Sequence, residues 1–247
     1  MFGRLLKHYL PKRSPVQPHE AYELWAHSYD DADNIVFAVE ETALFPMLDS
    51  LDFTKKTFAD VGCGTGRHLQ RVLARRADII VGVDFSRQML AGAGAKFANS
   101  SVCLIESNAS NLPLASSSFD IVLCTLVLGH ISELDIAVAE ITRILKPGGI
   151  VLISDWHPVN HDHDAQRTFR IVSRDGSSAT CAVQSFPHSI HDYRKAFQKH
   201  GLAIEDFQEL FIDERLKPIY EKLGKLDLYR QSRQNPLLFL YRLRKGE

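Results

Sequence analysis

The sequence has little of what marks several specialised classes of protein. Its 247 residues include four cysteines and no Cys-x-x-Cys pair, which predicts buried, reduced thiols rather than disulfides. No apolar run approaches the ~20 residues that span a bilayer. The formal net charge of −1 lacks the basic excess that nucleic-acid binding usually requires. We therefore expect a cytoplasmic protein with no nucleic-acid partner and no stable membrane insertion.

The first 18 residues differ from the rest of the chain because they are basic. They lack the apolar segment and cleavage site of a secretory signal, and the first acidic residue is Glu20. We expect residues 1–18 to be a solvated arm, with a transit peptide or a membrane-surface segment as the alternative. Residues 19–247 suffice for one large α/β core, so we predict a single domain there.

Short apolar runs and helical segments alternate through the middle of the chain. Five runs are β-branched and nearly continuous, which is typical of strands that are covered on both faces: Phe58–Val61, Ile79–Val83, Val102–Ile105, Ile121–Thr125 and Ile150–Ile153. The alternation predicts an α/β fold with a doubly wound, mostly parallel sheet. In such a sheet, ligands bind beyond the carboxyl ends of the strands.

Two segments add to this pattern. Residues 19–52 have helical spacing and are predicted to form N-terminal cap helices. Residues 155–189 contain two β-like runs that predict a hairpin insertion, and we expect it to act as a lid because it leaves a central strand at the ligand end. A helix and two strands complete the predicted elements: Ile190–His200, Ala203–Ile212 and Leu237–Leu243.

A glycine-rich loop follows the first predicted strand and contains Gly62, Gly64 and Gly66. Asp84 closes the second strand, twenty positions after Gly64, where an acid can accept both hydroxyls of a ribose. Nicotinamide and flavin enzymes share such loops, but the third glycine of their G-x-G-x-x-G pattern would fall at Arg67. The carboxylate of Asp60 would also repel a diphosphate, whereas it suits a ligand that carries an ammonium and a sulfonium.

At these residues the chain resembles the class I S-adenosylmethionine (SAM)-dependent methyltransferases. The resemblance is to a broad bacterial group with the sequence D-V-G-C-G-T-G, seen here as Asp60–Gly66, and it extends from Tyr22 to Ile153. It implies a Rossmann-like sheet of seven strands with an antiparallel last strand. It also implies SAM as the cofactor, with the glycine loop at its methionine portion, Asp84 at the ribose and Phe85 on the adenine ring.

Four more positions resemble the family's cofactor site. Asn108 stands where the family has an acid that accepts the adenine amino group, and an amide oxygen can still accept that hydrogen bond. The alternative is that Asn108 is only a turn residue. The resemblance implies that Ala109 serves the adenine ring through its backbone N–H, that Leu126 lies under the methionine, and that Tyr29 touches the methionine end.

Three histidines are candidates for catalysis on the methyl acceptor. His130 follows the fourth predicted strand, His157 follows the fifth, and His188 ends the insertion. A general base is needed only if the acceptor arrives protonated, and each histidine has an ordinary structural role as its alternative. The His/Asp-rich stretch at residues 155–164 has no periodic spacing and is interrupted by Pro158, so we predict no metal site.

The function that these residues predict is transfer of a methyl group from SAM to a small-molecule acceptor at oxygen, nitrogen or carbon. A SAM-binding regulator or subunit without catalysis is the first alternative, which Asn108 slightly favours. An NAD(P)-dependent oxidoreductase is the second, and the mismatch at Arg67 disfavours it. The pattern indicates neither the identity of the acceptor nor an oligomeric state.

Overall fold

A seven-stranded sheet forms the centre of the protein in a computed structural model that describes residues 15–30, 34–160, 167–172, 178–222, 224 and 226–247. Nine strands are described in chain order: β1 (Thr57–Val61), β2 (Ile79–Asp84), β3 (Val102–Glu106), β4 (Phe119–Thr125), β5 (Leu145–Trp156), β6 (Arg167–Val172), β7 (Ser178–Val183), β8 (Leu202–Leu210) and β9 (Leu238–Lys245). The main sheet has the order β3-β2-β1-β4-β5-β9-β8. Its last strand, β9, is antiparallel to both of its neighbours. The predicted doubly wound, mostly parallel sheet is confirmed.

Helices cover both faces of this sheet. In chain order they are α1 (Pro18–Trp25), α2 (Ile35–Asp49), α3 (Arg67–Leu73), α4 (Arg87–Phe97), α5 (Leu134–Ile144), α6 (Ile190–Lys199), α7 (Lys217–Lys222) and α8 (Leu226–Ser232). Successive side chains of a strand point to opposite faces. In β1, accordingly, Ala59 and Val61 pack in the core that contains α5 and α6, whereas Phe58 packs in the core that contains α2 and α3.

Side-chain caps determine where three of these helices begin. The side-chain oxygen of Asn34 accepts from the N–H of Val36 at the start of α2. The hydroxyl of Ser86 accepts from the N–H of Met89 at the start of α4. Ser189 and Asp192 form a reciprocal capping box at the start of α6. These bonds satisfy N–H groups that have no partner within the helix.

The junction between α5 and β5 differs from the prediction. The sequence predicts a strand that begins at Ile150. In the structure the helix ends at Ile144, because Leu145 is already extended and pairs with Phe119 of β4. The segment from 146 to 149 is an irregularity within β5, and Gly148 supplies the positive φ of 70° that it requires.

The hairpin insertion is present as the two-stranded pair β6–β7. The end of the predicted arm attaches to it, since the N–H of Val16 donates to Ala182 O at 2.9 Å and the N–H of Gln184 donates to Val16 O at 2.9 Å. Residues 1–14 lie outside the described residues, so the division into arm and domain stays a prediction. Within the described ranges, we find no helix with both the length and the apolar character needed to cross a bilayer.

Because helices cover both faces of the sheet, buried residues of the central strands should contribute strongly to the free energy of unfolding. Ile153 in β5 is fully buried, and Ile204 in β8 is 43% exposed. Truncating Ile153 to alanine should lower the free energy of unfolding by about 2–5 kcal/mol, because it removes buried methyl groups and leaves a cavity. Ile204→Ala is the matched control and should change it by less than about 0.5 kcal/mol. Urea unfolding of both variants gives the comparison, and equal losses would contradict this account of the core.

Candidate active site

A cavity of about 390 Å³ opens at the carboxyl ends of the parallel strands. The last residues of β1, β4 and β5 reach its wall, namely Val61, Thr125 and Trp156. Because the strand order reverses between β1 and β4, this is the crevice in which a doubly wound sheet binds ligands. The wall also contains Tyr29, Gly62, Gly64, Asp84, Phe85, Asn108, Ala109, Leu126 and His130, all of which are predicted site residues.

The glycine loop forms the floor of this cavity. Gly62 has a positive φ of 80°, and a Cβ at this position would overlap the side chain of Val127 from the loop after β4. Glycine is therefore required both by the backbone conformation and by the close approach of the two loops. Gly66 has a φ of 83°, but it lies against the ring of Phe97 and is not among the described lining residues. Gly66 therefore has a structural role at the start of α3.

The carboxylate of Asp84 joins the loops that follow β1 and β2. One of its oxygens accepts from the N–H of Gly64 at 2.8 Å, and the other accepts from the N–H of Ser86 at 2.8 Å. The side chain is almost fully buried and reaches the cavity wall. Burial raises the pKa of Asp84 to about 6, because its charged form is desolvated.

Asp60 is the most unusual charged group near the cavity. It is fully buried in β1, and within the described part of the chain neither of its carboxylate oxygens has a hydrogen-bond partner. Burial, with the nearby carboxylates of Asp84 and Glu40 adding to it, raises the pKa of Asp60 to about 8, although Arg67 opposes the shift. A buried acceptor without a donor is costly, so this position is suited to a ligand that brings a cation.

Arg67, the cationic side chain near Asp60, is paired with other acids. Its guanidinium forms ion pairs with Glu40 and Glu41 of α2 and lies 4.3 Å from the centre of the Phe37 ring. Burial opposes ionisation of Glu40, but Arg67, His68 and Ser154 together outweigh it and lower the pKa of Glu40 to about 2. Neither lysine nor arginine contributes to the cavity wall as far as the chain is described. Asp60 itself lies behind the described lining, so the wall offers the carboxylate of Asp84 and no counter-charge for a diphosphate.

Aromatic side chains form the opposite wall. Trp25 and Tyr29 make an edge-on contact with ring centres 4.7 Å apart, and Phe37 lies 5.2 Å from Tyr29. Tyr22, Phe85 and Trp156 extend this surface. Trp25 is buried and also lines the cavity. The expected cap helices therefore provide most of one wall.

The loops after β3 and β4 complete the cavity. The side-chain oxygen of Asn108 accepts from the N–H of Ser110 at 2.9 Å, which is the turn interaction considered as its alternative. Asn108 nevertheless lines the cavity, and an amide oxygen has a second lone pair. Leu126 lines it in a left-handed conformation with φ 59°, a strained backbone of the kind that occurs at binding sites.

Of the three candidate histidines, the structure places only His130 at the cavity wall. His157 turns the other way, and its Nε2 lies 3.1 Å from a carboxylate oxygen of Glu209. His188 is bonded through Nε2 to the carbonyl oxygen of Ile131 at 2.7 Å. The expectation that His157 or His188 faces the acceptor is therefore corrected, because protein groups hold both rings outside the described lining.

The structure describes only part of the insertion at residues 155–189 that is predicted to act as a lid. From the insertion, Trp156 and Thr168 reach the cavity, while residues 161–166 and 173–177 lie outside the described residues. The same is true of His161 and His163 in the stretch considered for a metal. Among the residues that are described, no cluster of potential metal ligands is found.

Several lining residues escaped the sequence reasoning. His19 and Phe37 carry no motif of their own, and only their tertiary position brings them to the cavity. Tyr22 is different, because it belongs to the N-terminal pattern that resembles the family. Its hydroxyl lies 3.0 Å from Nε2 of His130, a contact between residues 108 positions apart. No spacing rule predicts such a pair.

Comparison with known proteins agrees with this geometry. Residues 59–153 match a family described as a methyltransferase domain. This segment runs from β1 into β5 and contains the glycine loop and Asp84, and over it the chain is similar to SAM-dependent methyltransferases. A demethylmenaquinone methyltransferase from Staphylococcus aureus (strain JH9) is 31% identical over 147 residues, which are 57% of this chain and 61% of that protein. The match thus spans about three-fifths of the length of the curated relatives.

Solved structures of this methyltransferase fold extend the likeness over most of the chain. A SAM-dependent methyltransferase from Mesorhizobium loti is 21% identical with a TM-score of 0.66, covering 86% of this chain and 100% of that one. The DhpI–SAH complex is 18% identical with a TM-score of 0.64, covering 93% of this chain and 96% of that one. At these identities the likeness concerns the fold.

The raised pKa of Asp60 makes the stability of the protein depend on pH. Between pH 3.8, the ordinary pKa of an aspartate side chain, and about pH 8, the unfolded chain loses a proton at Asp60 that the folded chain keeps. The free energy of unfolding should therefore fall as the pH rises through this window. Replacing Asp60 with asparagine removes this contribution, so the variant should gain thermal stability over the parent at pH 8 more than at pH 5.

Melting curves without added ligand at the two pH values test this expectation. Asp78→Asn, at an exposed position just before β2, is the matched control and should follow the parent protein. A difference between Asp60→Asn and the parent that stays constant from pH 5 to pH 8 would show that Asp60 is ionised in the folded protein throughout.

Proposed function

We propose that this protein transfers a methyl group from SAM to a small-molecule acceptor. The observation that carries the proposal is the buried, unpartnered carboxylate of Asp60 behind a glycine loop whose cavity offers no basic side chain. SAM brings an ammonium and a sulfonium to such a site, and its sulfonium carries the activated methyl group. A partly apolar cavity with buried acids beside it and no basic side chain in its described lining favours that cation over a diphosphate.

The residues around the cavity suit the parts of SAM. Asp60 and the glycine-loop backbone would complement the amino acid portion, beside Tyr29 and Leu126. The carboxylate of Asp84 keeps lone pairs beyond those that accept from Gly64 and Ser86, and these can accept the ribose hydroxyls. The adenine would lie against Phe85, within reach of Asn108 and Ala109. The protein's own contribution is then alignment of the donor and exclusion of water.

The acceptor that the wall suits best is an uncharged aromatic molecule. Tyr22, Trp25, Phe37 and Trp156 present flat apolar surfaces, and the described wall has no cation that would hold a phosphate or carboxylate. The curated relatives are named for demethylmenaquinone, a quinone of this chemical kind. We propose a reduced aromatic quinone or phenol as the acceptor class.

Two alternatives make different demands on the same cavity. An NAD(P)-dependent enzyme needs donors for a diphosphate at the start of α3, where Arg67 is instead paired with Glu40 and Glu41. A SAM-binding protein without catalysis needs the cofactor groups but no space for an acceptor. The aromatic wall and His130 have no purpose in that alternative.

The cofactor proposal predicts a clear order of ligand affinities. S-adenosylhomocysteine (SAH) and SAM should both bind, because each carries the ammonium that complements Asp60. NAD should give no measurable heat, because the described wall offers no basic side chain to its diphosphate. Adenosine is the matched control ligand and should bind more weakly than SAH. Isothermal titration with each ligand measures this, and tight binding of NAD without a response to SAH would contradict the proposal.

Asp84 provides the corresponding test on the protein. Asp84→Asn keeps the shape of the side chain but turns one acceptor oxygen into a donor, and it removes the charge. The affinity for SAH should fall about 10- to 100-fold, as is usual when a hydrogen bond to a charged group is lost. Asp78→Asn, on the exposed approach to the same strand, should leave it unchanged. Undiminished SAH affinity in a folded Asp84→Asn protein would place the ribose elsewhere.

A further inference from the structure

We propose that Tyr22 and His130 form a proton-accepting pair for the methyl acceptor. In this assignment the Tyr22 hydroxyl faces the acceptor, and Nε2 of His130 receives the proton that the acceptor loses. The inference rests on the proposed function, because it concerns the acceptor side of the same cavity. It assigns a specific chemical role to Tyr22, for which the sequence indicated none.

The contacts of the His130 ring determine which nitrogen can accept a proton. Its Nδ1 lies 3.1 Å from the carbonyl oxygen of Gln184, and a carbonyl oxygen can only accept. Nδ1 must therefore carry the hydrogen of the neutral ring. Nε2 is then left with its lone pair, directed at the Tyr22 hydroxyl 3.0 Å away. In the neutral pair the hydroxyl donates to the imidazole, which is the arrangement of a base that is ready to accept.

Backbone contacts hold the His130 ring in this position. The N–H of Gly129 donates to the buried carboxylate of Asp155 at 2.6 Å, and the carbonyl of Gly129 accepts from the N–H of Phe186 at 2.8 Å. The carbonyl of the next residue, Ile131, is bonded to His188. His188 is thus a positioning residue for the loop rather than a group that contacts the acceptor.

Tyr22 is held from the other side of the cavity. The carboxylate of its neighbour Glu23 accepts from the hydroxyl of Ser86 at 2.8 Å and from the N–H of Gln88 at 3.1 Å. These bonds fix α1 to the start of α4. The ring of Tyr22 meets the ring of His130 edge-on, with centres 5.4 Å apart. The pair therefore bridges the cavity between two independently anchored segments.

Other titratable groups at the cavity are less suited to this role. The oxygens of Asp84 accept from two backbone N–H groups beneath the glycine loop. Tyr29 packs over that loop, and burial raises the pKa of its phenol above the ordinary value. His19 lies on α1 with its ring 5.6 Å from that of Phe85, on the side assigned to the adenine. Behind His130, the carboxylate of Asp155 accepts from the N–H of Gly129, and His188 is bonded to the carbonyl oxygen of Ile131.

The proton balance of the step is simple. When the acceptor atom forms its bond to the methyl carbon, its own bond to hydrogen breaks, and the electron pair of the broken sulfur–carbon bond remains on sulfur. The acceptor's proton passes to the Tyr22 oxygen while the Tyr22 proton passes to Nε2 of His130. The resulting imidazolium donates from Nδ1 to Gln184 and from Nε2 to Tyr22. His130 is half-buried, so it can return the proton to water afterwards.

The tautomer of His130 tests the pair without any turnover. In the protein labelled with ¹⁵N-histidine, long-range NMR spectra distinguish a ring protonated at Nδ1 from one protonated at Nε2, and His130→Asn identifies the signal. We expect the Nδ1–H form for neutral His130, and a changed Nε2 shift in Tyr22→Phe. A neutral ring that carries its proton on Nε2 cannot accept the Tyr22 proton, and that result would overturn the proposal.

Kinetics then separates proton acceptance from simple closure of the site. With SAM and reduced demethylmenaquinone as the probe acceptor, kcat of His130→Asn should fall about 100- to 10,000-fold, the usual effect of losing a general base. The SAH affinity should stay within about threefold of the parent. Tyr22→Phe should also lower kcat, and the acid limb of the pH profile of kcat/KM should disappear in His130→Asn. His191→Asn, an exposed histidine on α6, is the matched control.

The outcomes are distinguishable from failure of the proposed function. A parent protein that binds no SAH refutes the cofactor, and one that binds SAH but does not methylate the probe refutes the quinone acceptor class. If the parent is active and both variants keep its kcat and pH profile, the pair is wrong while the function stands. If Tyr22→Phe raises only KM and leaves the pH profile unchanged, Tyr22 closes the cavity and does not relay a proton.

Discussion

The carboxylate of Asp84 is the interaction on which the geometry of the cavity depends. It lies at the end of β2 and accepts from backbone N–H groups in two different loops, at Gly64 and at Ser86. Without it, both buried donors would lose their partner, which costs more than the bond itself contributes. The same residue reaches the cavity wall. One side chain therefore sets the shape of the floor and supplies part of its charge.

A second constraint is the imbalance of buried charge on the face of the sheet covered by α2 and α3. Glu40 and Asp60 are both fully buried, but their pKa values move in opposite directions. Arg67 pairs with Glu40 and lowers its pKa, whereas no such partner compensates the desolvation of Asp60 among the described residues. The fold thus pairs one acid internally and leaves the other without a hydrogen-bond partner among the described residues. This makes the stability of the protein depend on pH.

The side of the cavity that we assign to the acceptor has a different construction, because it is assembled from distant parts of the chain. Helix α1 supplies Tyr22 and Trp25, the loop after β4 supplies His130, and β5 supplies Trp156. The insertion both lines the cavity and supports the loop after β4, since Gln184, Phe186 and His188 all contact residues 129–131. Methyl transfer requires alignment more than acid–base strength, and a site supported by several anchored segments is suited to it.

Local patterns in the sequence determined the sheet, its helices and the cofactor side of the site. Continuous β-branched runs predict buried parallel strands, and Gly62 and Asp84 occupy the strand ends that any doubly wound sheet turns into a ligand crevice. Only the tertiary structure decided the acceptor side. His130, His157 and His188 all lie next to predicted strands or the insertion, but Glu209 and Ile131 hold two of them away from the cavity wall. Side-chain direction at such positions depends on partners 50 or more residues away, and no local period encodes that pairing.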